Sequence, residues 1–234
     1  RVLQPEVMDD PNLDPVQHRR ALRDLARIHQ FTNSVSQIWS RIRNQLLVAG
    51  LTKASILDLG CGDGYMLRRL DDYAKRDGIS LELYGCDFSA TALETAQELA
   101  KNADASIAFF QFDVTSGSKM PVAADFVICS LFLHHFDELQ VVAILKTINA
   151  AAKQFVLIHD LRRTRLGYLL CWIGVHALST SPVVRVDGLL SVQAAFTVPE
   201  IEGLLQTAAI ENPKVTTGWP QRFTITWSKD EQEK

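Results

Sequence analysis

Residues 54–64 read Ala-Ser-Ile-Leu-Asp-Leu-Gly-Cys-Gly-Asp-Gly. Ser55 to Leu59 is a short apolar run broken by one carboxylate, Asp58, and it has the look of a buried strand. Gly60, Gly62 and Gly64 follow at alternate positions. Tyr65 to Arg76 then spaces Met66, Leu67, Leu70 and Tyr73 as a helix does. The stretch is therefore strand, glycine turn, helix. Glycine allows positive φ and lets a ligand approach the backbone without meeting a Cβ. The start of a helix adds N–H groups with no intrahelical partner.

Three more strands follow the same plan. Leu81 to Asp87 ends in an acid 87 − 60 = 27 residues past the first glycine. In α/β nucleotide folds an acid there grips ribose hydroxyls. Residues 107–113 form a third strand, again ending in an acid, Asp113. Residues 125–130 form a fourth, running into Leu131-Phe132-Leu133-His134-His135-Phe136. Helices are expected at 64–76, 89–102 and 137–150, and a fifth strand at 154–160. Strands alternating with helices imply a parallel, doubly wound sheet.

Over about residues 50–160 this pattern resembles the class I S-adenosylmethionine-dependent methyltransferases. A nicotinamide-type domain would want G-x-G-x-x-G, whereas here position 65 is Tyr and the third glycine comes one residue early. The resemblance implies an α/β, Rossmann-like, doubly wound sheet of seven strands, mostly parallel with the last antiparallel. Lys214–Trp219 and Gln221–Ser228 fit its closing hairpin. It also implies a cap over the pocket, formed here by residues 1–50. The Pro- and Asp-rich arm 1–17 leads into helices at Val16–Gln30 and Ser34–Leu47, the second capped by Ser34 with Gln37 and stopped at Gly50. Residues 51–234 form the cofactor-binding domain, with 161–197 as an insertion after the fifth strand. That insertion opens with Arg162, Arg163 and Arg165 and then turns apolar, and we read it as a lid. The charged end, Lys229 to Lys234, reads as a solvated tail.

Composition narrows the partners. The 234 residues are 47% hydrophobic with a net charge of −3, which suits a full core and argues against a nucleic-acid-wrapping surface. Cys61, Cys86, Cys129 and Cys171 form no C-x-x-C and read as buried thiols in a reducing cytoplasm. The longest apolar stretch, Leu166 to Leu178, is too short to span a bilayer. No metal-ligand spacing stands out.

The resemblance also assigns roles. Gly60, Cys61, Gly62 and Gly64 pass close to the methionyl part of S-adenosylmethionine, and Asp58 faces its ammonium. Asp87 takes both ribose hydroxyls, since a carboxylate offers paired acceptors, with Phe88 against the adenine. Asp113 accepts from the adenine amino group, between Phe112 and Val114. Ser130 and Leu131 border the amino acid moiety. Methylases of exocyclic base amines carry [Asn/Asp]-Pro-Pro-[Tyr/Phe] at this point, and Ser130-Leu131-Phe132-Leu133 departs from it. His134, His135 and His159 are the candidate bases, and His18 and His176 read as incidental. Arg162, Tyr168, Leu169 and Trp172 of the lid are the candidate acceptor contacts.

The reaction so implied is in-line methyl transfer to a small hydrophobic or aromatic molecule, O-methylation preferred, with S-adenosylhomocysteine as product. An unshifted phenol titrates near 10 and His near 6.5, so prior proton transfer would cost roughly 3.5 × 1.36, about 5 kcal/mol. Deprotonation is therefore expected to accompany transfer. Met8-Asp9-Asp10-Pro11 and Ser191 to Phe196 look like a bacterial group of natural-product methyltransferases. The alternatives are C- or N-methylation, an RNA methyltransferase touching phosphate through Arg19, Arg23 and Arg27, and a non-catalytic partner subunit. A monomer and a homodimer paired through the lid are both open.

Overall fold

Ser55–Leu59 lies in a strand that starts two residues earlier, and the computed structural model describes residues 1–10 and 12–229 around it. Two helices come first, α1 (Pro15–Phe31) and α2 (Ser34–Val48). Then β1 (Lys53–Leu59), α3 (Tyr65–Arg76), β2 (Ser80–Asp87), α4 (Ala90–Asn102) and β3 (Ile107–Gln111) alternate. β4 (Ala124–Ser130), α5 (Glu138–Ala151) and β5 (Ala152–Leu161) continue them. Two inserted helices, α6 (Arg165–Leu178) and α7 (Pro182–Ala194), precede α8 (Val198–Thr207) and the hairpin β6 (Lys214–Gly218) and β7 (Arg222–Ser228). The charged tail lies, from Asp230 onward, outside the described residues.

The strands form one seven-stranded sheet in the order β3-β2-β1-β4-β5-β7-β6. β1 through β5 pair in parallel, and β7 runs antiparallel to both β5 and β6. The seven-stranded, mostly parallel sheet expected from the sequence is present. Its strand order reverses at β1 and β4, where crossovers leave to opposite sides and a crevice opens beyond the strand ends.

Alternation along the strands builds a core on each face. Leu57, Leu59, Val127, Cys129, Val156 and Ile158 point to one side, against α5 and α8. Ile56, Phe126, Ile128, Phe155 and Leu157 point to the other, against α2 and α3. Both faces are covered, so these strands read as near-continuous apolar runs. Each fully buried aliphatic side chain contributes about 1.5–3 kcal/mol.

Three details differ from expectation. Ser34 does not cap α2: Asn33, in the left-handed region at φ 55°, precedes it, and Gln37 donates to the Thr32 carbonyl instead. The other end is as read. Gly50 turns at φ +65°, and Leu51 N–H reaches back to Leu46 O, a Schellman closure. The third strand stops at Gln111, so Phe112 and Asp113 lie in the turn beyond the sheet.

The insertion, read from the sequence as a lid, is built as a helical hairpin of α6 and α7. Ser181 caps α7 with Pro182 as its first residue. The buried Asp24 of α1 binds that corner, its Oδ2 accepting from Ser179 Oγ at 2.7 Å, Thr180 N at 2.8 Å and Ser181 N at 3.0 Å. Ala21, Val175, Val183 and Val184 make a small separate core there. Arg27, one member of the arginine stripe, gives Nη1 to Asp24 and to the Leu178 carbonyl.

Candidate active site

The strand ends are level. Leu59 pairs with Cys86 on one side and Cys129 on the other, and Ser130 pairs with His159. Beyond this edge opens a cleft of 680 Å³. Its floor is Gly60, Gly62, Asp87 and Leu131, and one end is Phe88, Phe112, Asp113 and Val114.

Gly60 sits at φ +71°, and a Cβ there would lie 2.3 Å from the Phe132 ring. No other residue satisfies both the turn and that approach. Gly64, at φ +70°, precedes α3 and lies under the Phe109 ring. Asp87 organises the turn, since Oδ2 accepts from Gly62 N and Oδ1 from Ser89 N, both at 2.9 Å. A carboxylate has about four lone-pair sites, so each oxygen can still accept one more bond. Burial pushes the Asp87 carboxyl up, against the pull of its backbone N–H partners. Asp113 spends Oδ1 on Thr115, at 2.8 Å to N and 2.6 Å to Oγ1, and Oδ2 has no partner among the described residues.

Asp58 lies just below the floor, 1% exposed, with Oδ1 unpartnered. Burial, and then the charge of Asp87, push its carboxyl well up. An arriving cation would satisfy that oxygen and reverse the shift.

The three candidate histidines separate. His135 lines the cleft, with Nδ1 3.0 Å from Asp9 Oδ2. Burial of the ring opposes its charge, but the Asp9 hydrogen bond and the charges of Glu6 and Asp9 prevail and raise its pKa to about 9. His134 does not line the cleft, though its Nε2 lies 3.7 Å from Oε1 of Glu6, which does. Its Nδ1 is 2.7 Å from Oδ1 of the buried Asp160, which also accepts from Leu133 N at 2.8 Å. Burial works against the Asp160 charge, and His134 outweighs it and holds the carboxyl low. Together they shape the loop after β4. His159 is buried in the sheet, with Nδ1 2.9 Å from Thr224 Oγ1, and it too lies off the cleft.

Residues 56–154 match the family model described as a methyltransferase domain. Residues 56–154 therefore carry a methyltransferase domain. Solved structures share its fold. A protein of Nostoc punctiforme PCC 73102, provisionally assigned as an O-methyltransferase, aligns at TM-score 0.66 and 18% identity over 97% of this chain. Only 64% of that longer protein is covered, so the chain spans under two thirds of it. The plantazolicin methyltransferase BpumL, bound to a triazolic desmethylPZN analog and SAH, aligns at TM-score 0.62 and 18% identity, over 95% of this chain and 88% of that one. Magnesium protoporphyrin IX methyltransferase of Synechocystis PCC 6803 aligns at 0.59 and 17%, over 89% and 94%. A search of curated proteins returns no match.

The methyltransferase cleft fits its cofactor on three counts. A glycine cradle admits a close ligand, a buried carboxylate oxygen without a partner among the described residues awaits a cation, and Asp87 at the end of β2 and Asp113 in the turn after β3 keep free acceptors along one wall. Of the residues the sequence pointed to, Gly60, Gly62, Asp87, Phe88, Phe112, Asp113, Val114 and Leu131 line the cleft. Asp58, Cys61, Gly64 and Ser130 stand behind them. Arg162 lines a second, smaller cavity. Tyr168, Leu169 and Trp172 line neither cavity; they are 38%, 53% and 48% exposed on the outer side of α6.

Some cleft residues went unread. Glu6, Met8 and Asp9 of the arm also line it. His18, read as incidental, also lines the cleft; it is 8% exposed with Nδ1 unpartnered, and burial pushes its pKa down. The side chain of His29 lies outside the described residues.

Proposed function

We propose that the chain is a methyltransferase that moves a methyl group from S-adenosylmethionine to an oxygen of a small hydrophobic or aromatic molecule. The observation that carries this reading is His135 on the cleft wall, with Asp9 on Nδ1 and Nε2 left to take a proton. Phe132 and Phe136, with ring centroids 4.8 Å apart, stand beside it and suit a flat apolar acceptor. The four cysteines are unpaired, which supports a reducing, cytoplasmic setting.

In this reading Asp87 holds the ribose hydroxyls and Asp113 the adenine amino group, with Phe88, Phe112 and Val114 about the ring. Asp58 answers the ammonium, and the backbone of Gly60 and Gly62 lies along the methionyl part. When bound, the cofactor supplies an electrophilic methyl on sulfur and departs as S-adenosylhomocysteine. The chain contributes alignment and the exclusion of water. His135 receives the proton of the acceptor hydroxyl as the new bond forms.

A pKa of about 9 gives this base a definite signature. At pH 7 the ring is mostly cationic and cannot accept, so kcat should climb with pH, pass half its plateau near 9 and level off above that. His135→Gln should lower kcat about 10²–10⁴-fold and abolish the climb while cofactor affinity holds. Product mass and initial rates with a panel of phenols provide the readout. A loss of less than about fivefold, well short of the general-base range, would leave alignment alone as the mechanism and remove His135 from it.

A further inference from the structure

The second cavity, of 200 Å³, lies between α1, α6 and the turn joining β6 to β7. Ile28, Phe31, Leu170, Val175, Leu178 and Val192 give it apolar walls. Arg162 and Arg222 also line it, and no Asp or Glu does. Arg222 is 4% exposed, and its Nε and Nη1 have no hydrogen-bond partner among the described residues. Arg162 gives Nη2 to Gln221 Oε1 at 2.5 Å and leaves its own buried Nε unpartnered.

The charge of Asp160 offsets part of the burial cost of Arg222 but makes no hydrogen bond to its Nε or Nη1. Asp160, one strand over, is occupied by His134 and by the N–H groups of Leu133 and Leu161. Burial pushes Arg222 down to about 10, so it still carries its charge at neutral pH. A buried cation whose N–H groups lack hydrogen-bond acceptors is unfavourable, and proteins tolerate one where a ligand supplies them. A guanidinium matches a carboxylate in shape as well as charge. The surrounding walls ask for hydrocarbon, and the volume falls below the roughly 300–1,000 Å³ of pockets for drug-sized ligands.

We propose that this cavity is a binding site for a small apolar monocarboxylate, with its acid group on Arg222 and Arg162 and its hydrocarbon among the side chains of α1 and α6. The assignment stands apart from methyl transfer, because occupancy can be read without cofactor. The probes are benzoate and hexanoate, with benzamide and hexanol as neutral counterparts at fixed ionic strength. Calorimetry and thermal melts of the full chain follow binding. Both acids should bind and raise the Tm, and the neutral probes should do so at least tenfold more weakly. Arg222→Met should bind the acids about ten- to a hundredfold more weakly, the loss expected of a charge-assisted hydrogen bond, while binding S-adenosylhomocysteine as before. Without any acid its Tm should match or exceed that of the parent, since an unpaired buried charge is gone. If Arg222→Met does not fold, Arg222→Lys takes its place, keeping the charge but losing the fork, and should weaken acid binding by a smaller factor. Equal response to benzoate and benzamide, acid binding undiminished in the variants, or no response to either acid would each overturn the site.

Discussion

At the scale of single residues, the cleft depends most on Asp87, because one carboxylate holds the glycine turn through Gly62 and the start of α4 through Ser89 while still facing the cleft. Asp87→Ala should therefore weaken S-adenosylmethionine binding at least tenfold by calorimetry, since a charge-assisted hydrogen bond contributes about 1.5–3 kcal/mol. Unchanged affinity would dissociate β2 from the ribose. The placement of Gly60, Gly62, Asp87 and Asp113 at the cleft was legible because neighbours a few residues away fix it. The histidines were not. His134 and His135 are adjacent in sequence, and which one meets the cleft depends on Asp160, 26 residues from His134, and on Asp9, 126 residues from His135. Arg222 had no local signal at all, as a strand-edge arginine reads as solvated until the helices that bury it are placed.

At the scale of elements, the arm is the piece to watch. Its short 3₁₀ turn, Val7–Asp9, is held by the buried Asp187 of α7, which accepts from Val7 N at 2.8 Å and Met8 N at 2.9 Å. Burial raises that carboxyl to about 6, so it is largely ionised at pH 7. The arm in turn brings Glu6 and Asp9 to His135. Asp187→Ala should release the arm, and the His135 pKa should fall from about 9 toward the ordinary 6.5 in a histidine NMR titration. An unmoved pKa would mean that the arm is held elsewhere. The same coupling has a sign in pH. A histidine raised by its partners stabilises the docked arm below about 6.5, and that contribution is lost as pH rises through about 9. Element positions were largely legible from periodicity. The break in the insertion was also written in the chain, as a capping serine followed by proline at Ser181-Pro182.

At the scale of the whole molecule, two large cores share the sheet while α1, α6 and α7 rest on a small one. Regions with fewer buried apolar contacts open first. In native-state hydrogen exchange, amides of α6 and α7 should open at lower free energy than those of β1, β4 and β5, and equal protection would contradict this layering. Trp172, on the outer side of that layer, should tolerate Ala within about 0.5 kcal/mol, the usual range for surface positions. Its acceptor KM should then shift by no more than about twofold. The sheet itself has an order in time. β5 ends at Leu161, but its outer neighbour β7 ends at Ser228, 228 − 161 = 67 residues later. During synthesis at about 5–20 residues per second, the apolar edge of β5 emerges from the ribosome roughly 3–13 seconds before the strand that covers it. For that interval the nascent chain presents an open, hydrophobic strand edge, and chaperone demand in the cell should peak there rather than at the cofactor cleft.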